Sequence, residues 1–363
     1  MKRIVISKDN ICKNIELLQK KVGKAEIYAV LKSNAYGYDL KQMADILSQN
    51  GIHRFAVTEP KDAIKLRKWG FVDEEILIIR STSSEEDIKD IIAASATASI
   101  GSYDDAVALN KLAQEAEIVC DAHIKIDTGL GRYGFDANDI DRIISVFRFM
   151  PSINVSGMFS HYADVTNKAY TQQQYNAFMG VVSKIRDSGF DPGMLHIDAS
   201  GSVCKGHTEI LDAVRAGSAL TGNNPIVKSA GFLPVSTYET SISEIRWIPK
   251  GCSIGYGSTF TTKKPTRVAY IPIGYYDSFS IGRQPDVFTF RAKLGRLRNA
   301  IKALFKSQGL YVTINGEKVK VLGHLGMNHA AIDVTDIDCN IDTTVVLPTA
   351  PFYVTPDIPR VFM

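Results

Sequence analysis

The chain has 363 residues, 45% of them hydrophobic and 22% charged, and a formal net charge of +3. That is enough for two domains, or for one large barrel with an appendage, and either can bury a sizeable core. The net charge is too small to imply nucleic acid or an anionic membrane surface as a partner. Five scattered cysteines (Cys12, Cys120, Cys204, Cys252 and Cys339) have no CxxC spacing, so neither a metal site nor a disulfide framework is suggested. The start of the chain has only a three-residue apolar run, and no stretch elsewhere reaches membrane-spanning length. A soluble, cytoplasmic protein is expected.

In chain order, residues 26 to about 217 alternate short apolar runs with longer helix-like segments. EIYAVLK (26–32), RFAVTE (54–59), EILIIR (75–80) and TASIG (97–101) read as strands, too short and too β-branched for buried helices. HIKID (123–127), INVSGMFS (153–160), MLHIDAS (194–200) and AVRAG (213–217) continue the series. Between them, segments such as KQMADILSQNG and DAIKLRKWG carry apolar residues at three and four spacings, with a glycine stop. About eight such alternations predict an α/β fold in which parallel strands close into a TIM (β/α)8 barrel over residues 1–232. An open doubly wound sheet is the alternative.

Beyond residue 233 the pattern turns β-rich, in PVSTYETSISEIRWI, TRVAYIPIG, LYVTINGEKVKVLG and AAIDVTD, with a hairpin signal at Asn315-Gly316. A second, mostly β domain is expected over 233–363, which the first residues of the chain could join. Within it, residues 285–309 place Leu294, Leu297, Ile301, Leu304 and Phe305 at helical spacing. The other face carries Arg291, Lys293, Arg296, Arg298, Lys302 and Lys306. A packed helix with a solvated basic face is the expectation.

Functional residues of a parallel barrel sit at the C-terminal ends of its strands. Lys32 closes the first strand, where partial burial lowers a lysine's pKa and frees its amine for imine chemistry. Lys125 and Asp127 share a strand that runs into Thr128-Gly129-Leu130-Gly131-Arg132-Tyr133-Gly134. The glycines let backbone approach a ligand, and Arg132 suits a carboxylate or a phenolate. His161, Ser200 and Arg215 end or follow other strands, and serine with glycine backbone donors makes a phosphate cradle. Taken together these residues define a polar barrel mouth.

The motifs AVLKSNAYGYDL (29–40), KIDTGLGRYGF (125–135), GMFSHYAD (157–164), VRAGSALTG (214–222), GYGSTFT (255–261), YIPIGYYD (270–277) and VLGHLGMNHAAIDVTD (321–336) resemble the alanine racemase family. They do so in order, along almost the whole chain. The resemblance implies a barrel that binds pyridoxal 5'-phosphate, a β domain, and a head-to-tail homodimer whose active sites are completed by the partner's β domain. Lys32 resembles the lysine that carries the cofactor and serves as one base. Tyr256 resembles the base that reaches in from the other subunit. Tyr36, Ser200, Gly217 and Ser218 match phosphate-binding positions, Arg215 the arginine at the pyridine nitrogen, and His161 the histidine beside it. Arg132 and Met327 match substrate-binding positions. Lys125, a lysine often carbamylated in the family, and Tyr275 are supporting residues.

The sequence departs from the family pattern at Tyr38-Asp39, where histidine-glycine is usual, at Ala199 for asparagine, and at Asn328 for aspartate. The segment 285–309 looks like an insertion, and the chain beyond Asp336 is short. Racemisation of alanine is the activity the resemblance implies. Racemisation of serine, lysine or ornithine, and a non-catalytic cofactor-binding or sensor protein, are the alternatives.

Overall fold

The computed structural model describes residues 1–281, 288–305 and 309–363. The chain divides into two compact units, Lys8–Val235 and Met1–Ser7 with Ser236–Met363. Strand β1 (Lys2–Ile6) therefore belongs with the later half of the chain. No described helix is long and apolar enough to cross a membrane.

Lys8–Val235 contains β2 (Glu26–Val30), β3 (Arg54–Val57), β4 (Glu75–Ile78), β5 (Ala98–Ile100), β6 (Cys120–Asp127), β7 (Phe135–Asp136), β8 (Ile153–Phe159), β9 (Met194–Ala199) and β10 (Ala213–Ala216). The parallel strands are ordered β4-β3-β2-β10-β9-β8-β6-β5, with the short β7 beside β6. The ring is closed where Ile78 N–H donates to Thr97 O (2.9 Å) and Thr97 N–H to Ile76 O (2.9 Å). This is the closed barrel, and the open sheet is excluded. Helices return from one strand to the next, and polar caps fix where they begin. Asp39 accepts from Gln42 N–H (2.9 Å), Ser102 from Asp105 N–H (3.1 Å) and Asn167 from Tyr170 N–H (3.1 Å). Tyr28, Val30, Ala56, Leu77 and Ala213 form a buried cluster inside the ring.

One boundary differs from the sequence reading in a way that matters. β2 ends at Val30, and Lys32 opens a helical turn rather than closing the strand. Ser33, Asn34, Ala35 and Tyr36 follow with φ of 52–59°, a left-handed turn that no hydrophobic periodicity could reveal.

In the other unit the remaining strands are β11 (Ser236–Ser241), β12 (Glu244–Ile248), β13 (Ser253–Ile254), β14 (Phe260–Thr261), β15 (Thr266–Ile271), β16 (Tyr311–Ile314), β17 (Glu317–Leu322), β18 (Ala330–Asp333), β19 (Thr344–Leu347) and β20 (Arg360–Phe362). Nine of this unit's strands form one sheet, ordered β12-β15-β18-β17-β16-β19-β11-β1-β20, and β13 pairs β14. Asn315 (φ 50°) and Gly316 (φ 85°) turn β16 into β17 with both central residues at positive φ, the geometry of a type I′ hairpin.

The inserted segment forms helix Phe290–Phe305. Leu294, Leu297 and Ile301 are exposed on it, contrary to the sequence expectation, and the side chains of Arg291, Leu304 and Phe305 lie outside the described residues. Lys306 and the flanks 282–287 and 306–308 lie outside the described residues.

Asn14 ties the first helix of the barrel unit, Lys8–Val22, to the end of that unit. Its buried amide donates to Leu220 O (3.2 Å) and Leu233 O (2.8 Å) and accepts from Leu233 N–H (2.8 Å). Asn14→Ala leaves two carbonyls and an N–H without this partner, the Leu220 carbonyl in a buried place, a cost of about 1–3 kcal/mol. Urea unfolding followed by circular dichroism should show that loss, and a change under about 0.5 kcal/mol would contradict it.

Candidate active site

One end of the barrel holds a pocket of about 210 Å³. Nine of the residues singled out from sequence line it: Lys32, Tyr36, Lys125, Arg132, His161, Ser200, Arg215, Gly217 and Ser218. They come from segments up to 186 positions apart, brought together because parallel strands deliver their C-terminal ends to one rim.

Lys32 and Tyr36 arrive on the left-handed turn. Ala35 N–H donates to Leu31 O (2.8 Å), and Asn34 Oδ1 accepts from Leu40 N–H (2.8 Å), pinning the turn to the helix that follows. The Lys32 ammonium sits 5.9 Å from the Tyr36 ring centroid. Burial, reinforced by Arg132, lowers the Lys32 pKa, so a neutral amine is easier to reach than for a solvated lysine.

Opposite the turn, Ser200 Oγ accepts from Gly217 N–H and Ala219 N–H, each at 3.0 Å. The Tyr36 ring packs so closely over Gly217 that any Cβ there would collide with it. Burial pushes the Tyr36 hydroxyl up to about 12, so it remains a donor near neutral pH. Helical turns start at Ser200 and Ser218, and their first N–H groups have no carbonyl within their own turn. Hydroxyls, a glycine-only approach and helix-start amides make a donor set that fits a phosphate ester.

A buried cation forms the other part of the pocket. The Arg215 guanidinium donates to His196 Nδ1 (2.5 Å), His196 O (3.2 Å), Ser160 O (2.6 Å), Ile197 O (3.2 Å) and His161 Nδ1 (3.1 Å). Guanidinium only donates, so Nδ1 of both histidines must accept, and each neutral ring keeps its proton on Nε2. His196 Nε2 then donates to His123 Nδ1 at 2.9 Å, which fixes the third tautomer as well. Burial first and Arg215 second push His123 and His161 down to about 3 and His196 well below the usual range. Arg215, lowered by burial to about 10, stays protonated near neutral pH. Asp198 is buried close by, its carboxyl raised by burial to about 6, and its Oδ2 has no hydrogen-bond partner among the described residues.

Lys125 is buried between the rings of Tyr133 (5.2 Å) and Phe159 (5.8 Å) and donates to Arg132 O at 3.1 Å. Burial, then Arg132 and Arg215, push its pKa down to about 8. The glycines around Arg132 do a different job from the one read in the sequence. Asp127 Oδ1 accepts from the N–H groups of Gly129 (2.9 Å), Leu130 (2.9 Å) and Gly131 (3.1 Å). A Cβ on Gly134 would strike the backbone at Asp127, and one on Gly129 would strike the Tyr170 hydroxyl. These two glycines let the loop fold closely onto its own strand and a neighbouring helix.

Three residues escaped the sequence reading: His123, His196 and Asp198. A signal was present for the first, because His123 stands two positions before Lys125 and so shares its face of β6. A polar residue at an inward position of a ring that is ordinarily filled with branched apolar side chains needs a partner.

The other singled-out residues lie in the β unit, close together. Tyr256 begins a short turn, is 68% exposed, and has its ring 6.2 Å from that of His329. Tyr275 N–H donates to Gly326 O (3.1 Å) and Tyr276 N–H to Met327 O (3.0 Å), which joins the loops bearing Tyr275 and Met327. The side chains of Tyr256, Tyr275 and Met327 are all exposed.

Comparison with known proteins follows the same division of the chain. The model of the alanine racemase N-terminal domain matches residues 6–225, and that of the alanine racemase C-terminal domain residues 235–351. The alanine racemase of Clostridium tetani is 30% identical over 351 residues, covering 94% of this chain and 84% of the relative. The solved alanine racemase of Clostridium difficile superposes with a TM-score of 0.82 at 26% identity, covering 95% of this chain and 86% of its own. The alanine racemase of Bartonella henselae, solved with covalently bound pyridoxal phosphate, shares the fold at a TM-score of 0.81 and 22% identity, over 100% of this chain and 99% of that one. The chain belongs to the alanine racemase family.

Proposed function

We propose that the protein is a pyridoxal 5'-phosphate-dependent isomerase that interconverts L- and D-alanine by proton transfer between two bases. The pocket carries this reading: a lysine amine with a lowered proton affinity lies in the same cavity as a phosphate-type donor set and a buried arginine whose two terminal nitrogens are held by carbonyls and histidines. Pyridoxal phosphate, when bound, supplies the electron sink that lets an amino acid's Cα–H bond ionise.

The chain's own residues do the rest. Tyr36, Ser200, Gly217 and Ser218 hold the phosphate. The Arg215 guanidinium would serve the ring nitrogen as a donor that keeps its own proton, and His161 keeps that guanidinium in place. Lys32 Nζ would hold the cofactor and move the α-proton on one face, while the Tyr256 hydroxyl, contributed by a second copy in a homodimer, would move it on the other. Arg132 and Met327 hold the substrate carboxylate. Lys125 and Tyr275 support that end of the site, and the Lys125 amine, with a pKa of about 8, is neutral often enough near pH 8 to add carbon dioxide and hold Arg132 as a carbamate. A cytoplasmic setting suits the five free cysteines.

A larger substrate is the second reading, favoured by one observation. Ala199 lines the pocket, and its methyl group takes less room than an asparagine amide. Serine, lysine or ornithine would then compete with alanine.

Four outcomes test these assignments. Borohydride reduction of cofactor-loaded protein should fix the label on the peptide containing Lys32, and Lys32→Ala should remove both label and racemase activity; label on another lysine refutes the role. Tyr256→Phe should slow exchange of the α-proton with solvent on one face far more than on the other, by roughly 100-fold or more. Mixing that variant with Lys32→Ala should recover activity through heterodimers, and verified heterodimers without activity would rule out shared sites. In a racemisation screen, kcat/KM for alanine should exceed that for serine, lysine and ornithine by at least about tenfold, and a reversed order selects the second reading.

A further inference from the structure

The insertion helix Phe290–Phe305 has no part in the proposed chemistry, and it has two unlike faces. Phe290, Leu294, Leu297 and Ile301 are spaced four, three and four residues apart, so at 100° per residue they fall in a stripe about 60° wide. All four are exposed, at 76%, 50%, 57% and 48%. Lys293 flanks the stripe on one side and Arg298 on the other, with Arg296 and Lys302 farther round. Residues 287–316 hold six lysines and arginines and no aspartate or glutamate.

A helix that serves only to fill out the fold would bury such a stripe, and this one does not. Pairing the stripe with its own image in a second copy would set two strongly cationic helices side by side. Nucleic acid would satisfy the cations but leave four large apolar side chains in water. An anionic bilayer surface satisfies both faces together: the apolar stripe enters the acyl boundary, and flanking lysines and arginines extend their stems to reach lipid phosphates. The small net charge of the whole chain does not oppose this, because the positive charge is concentrated on one segment.

We propose that helix Phe290–Phe305 lies in the surface of membranes that contain acidic phospholipids, making the protein a peripheral membrane binder independently of its racemase site. The test is sedimentation of the cofactor-loaded, full-length protein with phosphatidylcholine vesicles, with and without phosphatidylglycerol. Binding is expected only to the anionic vesicles, and high salt should weaken it. Arg296→Glu combined with Arg298→Glu should lower vesicle affinity at least about tenfold. Leu297→Gln should do the same at unchanged charge, with Leu294→Gln as the alternative should that variant fail to fold. Racemase activity of the variants reports that the fold is intact, and a blue shift of added tryptophan emission in Phe290→Trp on anionic vesicles reports insertion. Absence of binding at low salt overturns the proposal. So does binding that survives both the charge and the Leu297 variants. Binding to duplex DNA that is indifferent to Leu297→Gln would mark a purely electrostatic site, and protection of residues 290–301 from hydrogen exchange in the vesicle-free dimer would mark a protein interface; either also overturns it.

Discussion

A guanidinium buried inside a strand barrel is the constraint on which the site depends. Taking a cation out of water costs several kcal/mol unless its donors are all engaged. Arg215 meets that cost with acceptors from two neighbouring segments: His196 and Ile197 of β9, and Ser160 and His161 just beyond β8. The arrangement works in both directions. The arginine orients the histidines, and by sitting beside them it also keeps them neutral, so they accept hydrogen bonds but carry no charge near neutral pH. A lysine could not replace it, because a point charge lacks the planar fork that reaches several acceptors at once. The strand register shifts between Ala122 and His123 against β8, and between Ala213 and Arg215 against β9. Both irregularities fall beside members of this network, where they re-aim a side chain.

The left-handed turn from Ser33 to Tyr36 is the second constraint, and it is local. Four non-glycine residues at positive φ each carry a cost of roughly 1–2 kcal/mol. Such strain persists only where surroundings over-determine it. Here the Leu31 carbonyl, the Asn34 side chain and the packing of Tyr36 on Gly217 do so. The turn brings Lys32 and Tyr36 to the pocket from positions four apart in sequence. An ordinary right-handed continuation of the chain would send their side chains elsewhere.

The two units divide the work differently. The barrel unit buries its polar groups in networks, as His123, His196 and Arg215 show. The β unit leaves large aromatic and apolar side chains open, both at Tyr256, Tyr275 and Met327 and along the insertion helix. Contiguous apolar exposure of this kind marks surfaces that meet something else. The first group fits the proposed second copy of the chain. The second is set apart from it by the density of its positive charge.

Much of the architecture was legible in the residues. Short β-branched apolar runs, glycine stops and about eight alternations point to a barrel, and Asn315-Gly316 to a hairpin, because each depends on neighbours in the chain. Family motifs named Lys32, Arg132, Arg215 and the phosphate-end residues, all of which line one pocket. The left-handed turn, the packing role of Gly129 and Gly134, and the chain of hydrogen bonds through His196 to His123 were not legible. Each depends on contacts between segments far apart in sequence. The exposed stripe on the insertion helix belongs with these. Periodicity fixed which side chains share a face, but only the tertiary structure decided whether anything in the protein covers it, because burial depends on what packs opposite and not on the spacing of the residues.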